Sequence, residues 1–113
     1  PRVIGMKRAM GMILTARRVT AKEGLELGFV NEVAPAGGAL DAARAIAKQI
    51  CTLSPMSIRA SKQIATRGAE LPLAQALAEQ ESWPAFKAMR DSADFVEGPK
   101  AFAEKRKPNW TGR

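Results

Sequence analysis

The 113-residue sequence has no histidine, no tyrosine and a single cysteine. Without an imidazole there is no Ser-His-Asp triad, no His-ligated metal and no histidine general base. Cys51 alone can form neither an internal disulfide nor a thiolate zinc cage, so no metal site is expected. With no histidine to activate it, that thiol reads as a small buried hydrophobe. Acid–base chemistry therefore falls to carboxylates and lysines. The apolar runs are only a few residues long, which excludes a transmembrane helix, and the start lacks the apolar region of a secretory signal. These features lead us to expect a cytoplasmic chain with no membrane partner. The first residue is Pro1, and a helical apolar pattern begins almost at once, as in a piece of a longer protein.

What the chain has in excess is positive charge, 18 Lys+Arg against 11 Asp+Glu, and it is concentrated at the ends. Arg2, Lys7, Arg8, Arg17 and Arg18 precede any acid, and Lys100, Lys105, Arg106, Lys107 and Arg113 face only Glu104. A basic distribution of this kind suits nucleic acid, a membrane surface, a phosphorylated small molecule, or simply a solvated basic face.

Alanine outnumbers Val, Ile and Thr together, and apolar residues recur mostly at three and four, which predicts a mainly α chain. A first helix is expected from Ile4 to about Leu14, burying Ile4, Ala9, Met10, Ile13 and Leu14. Thr20-Ala21-Lys22-Glu23 fits a capping box, and Gly28 supplies a stop, giving a short helix over 21–27. Phe29-Val30-Asn31-Glu32-Val33 alternates and predicts one brief strand ending before Pro35 and Gly37-Gly38. Leu40, Ala43, Ile46, Ala47 and Ile50 mark an amphipathic helix, and Ser54-Pro55 opens another that stops at Gly68. A helix from about Leu71 must bend or break at Pro84. Ser92 caps a last helix from Ala93 to about Glu104, which Gly98-Pro99 should divide in two, leaving an irregular tail over 105–113. Short connections and the absence of repeats predict one helical domain over 1–113.

Little in this pattern carries catalysis. Glu79 and Glu81 are two apart and diverge on a helix, while Glu23 and Glu26 sit in a capping turn. Gly37-Gly38 has neither dinucleotide-loop spacing nor a P-loop lysine. The distinctive stretch is Ala101–Trp110, where basic residues lie among aromatics. That combination serves phosphate contact with ring stacking, as in RNA, DNA or adenine-nucleotide binding, or merely complements a helix dipole.

Pro1–Gly5, the run from Ile13 to Val33, Ser54-Pro55 and the run from Glu97 to Pro108, taken in order, resemble the C-terminal part of the enoyl-CoA hydratase/isomerase (crotonase) family. The resemblance covers essentially the whole chain. It implies the helical trimerisation region of the crotonase ββα-spiral fold, with one short strand. It also implies an acyl-CoA substrate, with coenzyme A entering as part of the substrate rather than as a cofactor, and a homotrimer or hexamer packed through the helices.

In the family the catalytic glutamates and the backbone-amide oxyanion hole lie in the ββα spiral, so no catalytic residue is assigned to this chain. By position, Lys105 matches a lysine near the phosphates or adenine of CoA, and Phe86 and Phe102 match aromatics of the acyl pocket. The implied activity is hydration of 2-enoyl-CoA in fatty-acid or related acyl-CoA metabolism; isomerase, dehydratase and thioester-hydrolase reactions are alternatives within the family. A small basic nucleic-acid-binding module is the alternative outside it, though no nucleic-acid partner is expected. Two departures stand out. Ala16 occupies a usual glycine site, at a cost of about 1 kcal/mol if the backbone there is left-handed, and Pro84 interrupts a helix that some members run straight.

Overall fold

The computed structural model describes residues 1–113 as seven α-helices and one 3-10 turn. The helices are α1 (Met6–Thr15), α2 (Ala21–Leu27), α3 (Ala39–Ile50), α4 (Pro55–Gly68), α5 (Leu73–Glu79), α6 (Pro84–Arg90) and α7 (Ala93–Ala103). The chain forms two compact units, Pro1–Ile46 and Ala47–Arg113.

The expected fold class, mainly α with one short strand, is corrected: the structure is all-helical and residues 29–33 form no strand. The reason lies at the end of α2. Gly28 turns left-handed at φ 85, and its N–H reaches the carbonyl of Leu25. The amides of Phe29 and Val30 then both fold back onto the carbonyl of Gly24, at 3.1 and 3.2 Å. Donors committed to a helix terminus are lost to a ladder. Phe29 and Val30 press so closely on Gly24 that a Cβ there would lie 2.8 Å from Val30 Cγ2. Their apolar alternation thus records packing on a helix end.

The start of α2 is half a capping box. Thr20 Oγ1 accepts from the Glu23 amide at 3.2 Å, as expected. The Glu23 carboxylate, however, pairs with both terminal nitrogens of Arg17, at 3.0 and 2.6 Å, rather than with the cap amide. This bidentate pair holds Glu23 below its ordinary pKa through the Arg17 hydrogen bonds.

α1 closes on Ala16 at φ 49, ψ 27, the left-handed conformation that a glycine would adopt freely. Ala16→Gly is therefore expected to stabilise the first unit by about 1 kcal/mol. In urea titrations this appears as a higher midpoint with an unchanged slope; an unchanged or lower midpoint would show that the turn stores no strain.

In the second unit the most extensive helix contact is between α4 and α6. Pro84 breaks the chain as anticipated: α5 ends at Glu79, a 3-10 turn covers Gln80–Ser82, and Trp83 is extended before Pro84 opens α6. A residue preceding proline is pushed out of the helical region, and proline tolerates the first helical position. The Ala85 amide, orphaned in the first turn of α6, donates to Gln63 Oε1 of α4 at 2.9 Å. Trp83 is 2 % exposed, the largest fully buried side chain, with the Arg67 guanidinium 4.9 Å from its ring centroid.

Further expectations shift. α4 runs through Gly68 and is capped by Ala69 in a right-handed conformation, so glycine is not its stop. α7 is continuous across Gly98-Pro99. Pro99 still lacks its amide, but the helix is tied down at both ends, and Trp110 covers Gly98 so closely that a Cβ would meet its ring at 3.3 Å. Cys51 is exposed rather than buried.

The apolar faces read from the sequence exist, but this chain leaves most of them uncovered. In α1 only Ala9 is buried, while Met10, Ile13 and Leu14 are exposed, and α3 buries none of its residues. Periodicity identifies the face a helix can bury; it does not say that the same chain supplies the cover.

Candidate functional site

The end of α7 and the tail that follows it form the most highly organised polar region of the second unit. Ser92 caps the helix by accepting from the Phe95 amide at 3.3 Å. In the first turn of the helix, the buried Asp94 gathers a set of donors. Its Oδ1 accepts from the Thr111 amide at 2.7 Å, the Thr111 hydroxyl at 3.1 Å and the Gly112 amide at 3.2 Å. Its Oδ2 accepts from the Ser54 hydroxyl at 2.8 Å, which also links it to the cap of α4. Burial pushes the Asp94 carboxyl up, and the hydrogen bonds from Thr111, Ser54 and Gly112 more than offset it, so the group stays below its ordinary range.

Glu97 lies three residues on, so the two carboxylates project from one face of α7. Its Oε1 accepts from Arg106 at 2.6 Å and from the Asn109 amide at 2.6 Å, and its Oε2 accepts from Arg106 at 3.0 Å. Those bonds, the Arg106 pair first, hold Glu97 down at about 2. Trp110 completes the fastening by donating its indole N–H to the Thr52 carbonyl at 2.9 Å. A cleft of about 370 Å³ remains between helix and tail, lined by Val96, Lys100, Asn109 and Thr111 among others.

The helix ends on Lys105, held left-handed at φ 53. Its amide reaches the Phe102 carbonyl at 3.2 Å, and the Arg106 amide reaches Ala101 at 3.0 Å. This is the paired closure that usually ends in glycine. A lysine there costs about 1 kcal/mol, and its ammonium takes no hydrogen bond or ion pair.

Of the three residues singled out by the resemblance, the structure brings Phe102 and Lys105 to the same end of α7, where Phe102 is 87 % exposed. Phe86 stands apart on α6, half-buried. Asp94, Glu97 and Arg106 went unrecognised. Apart from the contacts of Arg106 with Glu104 and the Lys107 carbonyl, their side-chain partners lie 9 to 40 residues away along the chain, beyond any helical or strand period, so no spacing rule reveals them.

The sequence profile of the enoyl-CoA hydratase/isomerase family matches residues 1–113. The chain is 34% identical over 113 residues to an enoyl-CoA isomerase/hydratase from Mycosarcoma maydis, covering 100% of this chain and 40% of that protein. It is 38% identical over 104 residues to a carnitinyl-CoA dehydratase from Citrobacter koseri, covering 90% and 40%. Among solved structures, an enoyl-CoA hydratase from Mycobacterium marinum superposes with a TM-score of 0.90 at 38% identity, covering 100% of this chain and 44% of that one. The chain belongs to the enoyl-CoA hydratase/isomerase family. It spans about two-fifths of the length of the curated relatives it matches. These matches do not support the expected C-terminal placement, which is withdrawn.

Proposed function

We propose that this chain is a helical, ligand-contacting segment of an enzyme that acts on acyl-CoA thioesters by hydrating a 2-enoyl-CoA. The observation that carries this reading is the end of α7, where Lys105 keeps an uncommitted ammonium in a strained turn. A left-handed non-glycine residue persists where its surroundings hold it, and such residues cluster at ligand sites. An ammonium suits the phosphates of coenzyme A, and an exposed ring such as Phe102 suits an acyl chain or a neighbouring subunit.

In this reading Phe102 and Phe86 serve the acyl side, and catalytic carboxylates are contributed from outside this chain. The uncovered apolar faces of α1, α3 and α7 support packing between subunits as a trimer or hexamer. Carnitinyl-CoA dehydratase among the relatives keeps water addition or removal at a CoA thioester as the favoured reaction.

The test uses the full-length gene product with crotonyl-CoA. Hydration is expected, and Lys105→Ala should raise KM about 10-fold with kcat little changed, the loss of about 1.4 kcal/mol of charge-assisted binding. Turnover with an unaltered KM would remove Lys105 from the site. No consumption of any CoA ester would remove the enzymatic reading.

A further inference from the structure

Between residues 97 and 107 the chain carries four cations, Lys100, Lys105, Arg106 and Lys107, and two anions, Glu97 and Glu104. Arg106 engages both anions. Its terminal nitrogens hold Glu97 at 2.6 and 3.0 Å, and its Nε holds Glu104 at 2.6 Å. Its backbone amide closes the left-handed turn onto Ala101, and another guanidinium contact reaches the Lys107 carbonyl at 3.2 Å. The residues immediately before and after Lys105 are thus tied to each other by a side chain, and Glu97 also fixes the loop at Asn109.

We propose that Arg106 is a positioning residue for Lys105: anchored on Glu97, it occupies the adjacent Glu104 carboxylate and locks the left-handed turn, so that the lysine meets an anionic ligand instead of Glu104. The inference rests on the reading of Lys105 as a phosphate-facing residue, and the ligand class is the phosphorylated end of a CoA thioester. Two physical effects act together. A guanidinium fork spans two carboxylates with a geometry that an ammonium cannot reproduce. A carboxylate released beside Lys105 would pair with it and repel phosphate.

The experiment compares crotonyl-CoA with crotonyl-pantetheine, which lacks the phosphates, in the full-length gene product. Arg106→Gln is expected to raise KM for the CoA ester about 3- to 5-fold, the range of an exposed ion pair, with kcat and the pantetheine KM unchanged. Arg106→Lys keeps the charge but loses the fork, and should fall between wild type and Arg106→Gln. In a Lys105→Ala background, Arg106→Gln should add nothing, because residues acting through one contact are not additive. Equal losses on both esters, additive losses, or no loss would each overturn the positioning role. Lys105→Ala without effect would instead overturn the underlying reading of Lys105, so the two failures are separable.

Discussion

Trp83→Ala should unfold the second unit at markedly lower denaturant, with a loss of about 3–5 kcal/mol, the range for truncating a fully buried large aromatic. The ring sits at the break between the 3-10 turn and α6, packed where α4 and α6 meet, with its edge over Gly68 and the Arg67 guanidinium on its face. Removing it takes away the largest side chain of a core otherwise built from alanines such as Ala60 and Ala101. Trp83→Phe separates volume from polarity. The Trp83 indole N–H is buried without an acceptor, so a phenylalanine gives up area while also removing an unsatisfied donor. A cost below about 1.5 kcal/mol is expected. Equal costs for the two variants would mean that the indole N–H matters to the fold in a way the packing does not show.

Asp94→Ala should release the tail while leaving α4 and α6 in place. One carboxylate takes the amides of Thr111 and Gly112 and the hydroxyls of Thr111 and Ser54, and alanine removes the acceptor from all four, leaving only the Thr111 hydroxyl with another, the Arg113 carbonyl at 3.2 Å. Hydrogen exchange at Thr111 and Gly112 is expected to accelerate by at least about 10-fold, with amides inside α4 unaffected. Unchanged exchange at both residues would show that Glu97, Trp110 and the Ala93 amide, which donates to the Arg113 carbonyl at 2.9 Å, hold the tail without Asp94. Acid should reproduce the release. The folded-state pKa values of Asp94 and Glu97 are depressed, so their contribution is fully present above the ordinary values of 3.8 and 4.5. It is lost as pH falls through the folded-state values, for Glu97 towards about 2. Carboxyl carbon shifts followed across that range read each titration directly.

The sequence was most legible where the cause of a structure is local. Thr20, Ser54 and Ser92 announce their helices because a capping hydroxyl acts within three residues. Pro84 announces its break because the missing amide and the constraint on Trp83 are properties of adjacent residues. The expected strand failed because alternation over five residues does not distinguish a sheet from a segment folded back on Gly24. Phe102 and Lys105 were singled out by likeness to a family and by no spacing rule, and both lie at the end of α7. Asp94, Glu97 and Arg106 were invisible because a tail folding back on a helix is specified by distant hydrogen bonds, which leave no period in the chain.

Trp83 and Trp110 both lie in the second unit, and the chain has no tyrosine. Intrinsic fluorescence is therefore blind to Pro1–Ile46, whereas circular dichroism records helices in both units. The buried Trp83 and the partly covered Trp110 also report separately on the core and on the tail. Superimposable fluorescence and dichroism transitions would show the two units unfolding as one cooperative body. Two offset transitions would show that the first unit melts unseen by the tryptophans, and substituting either one would reveal whether core or tail yields first.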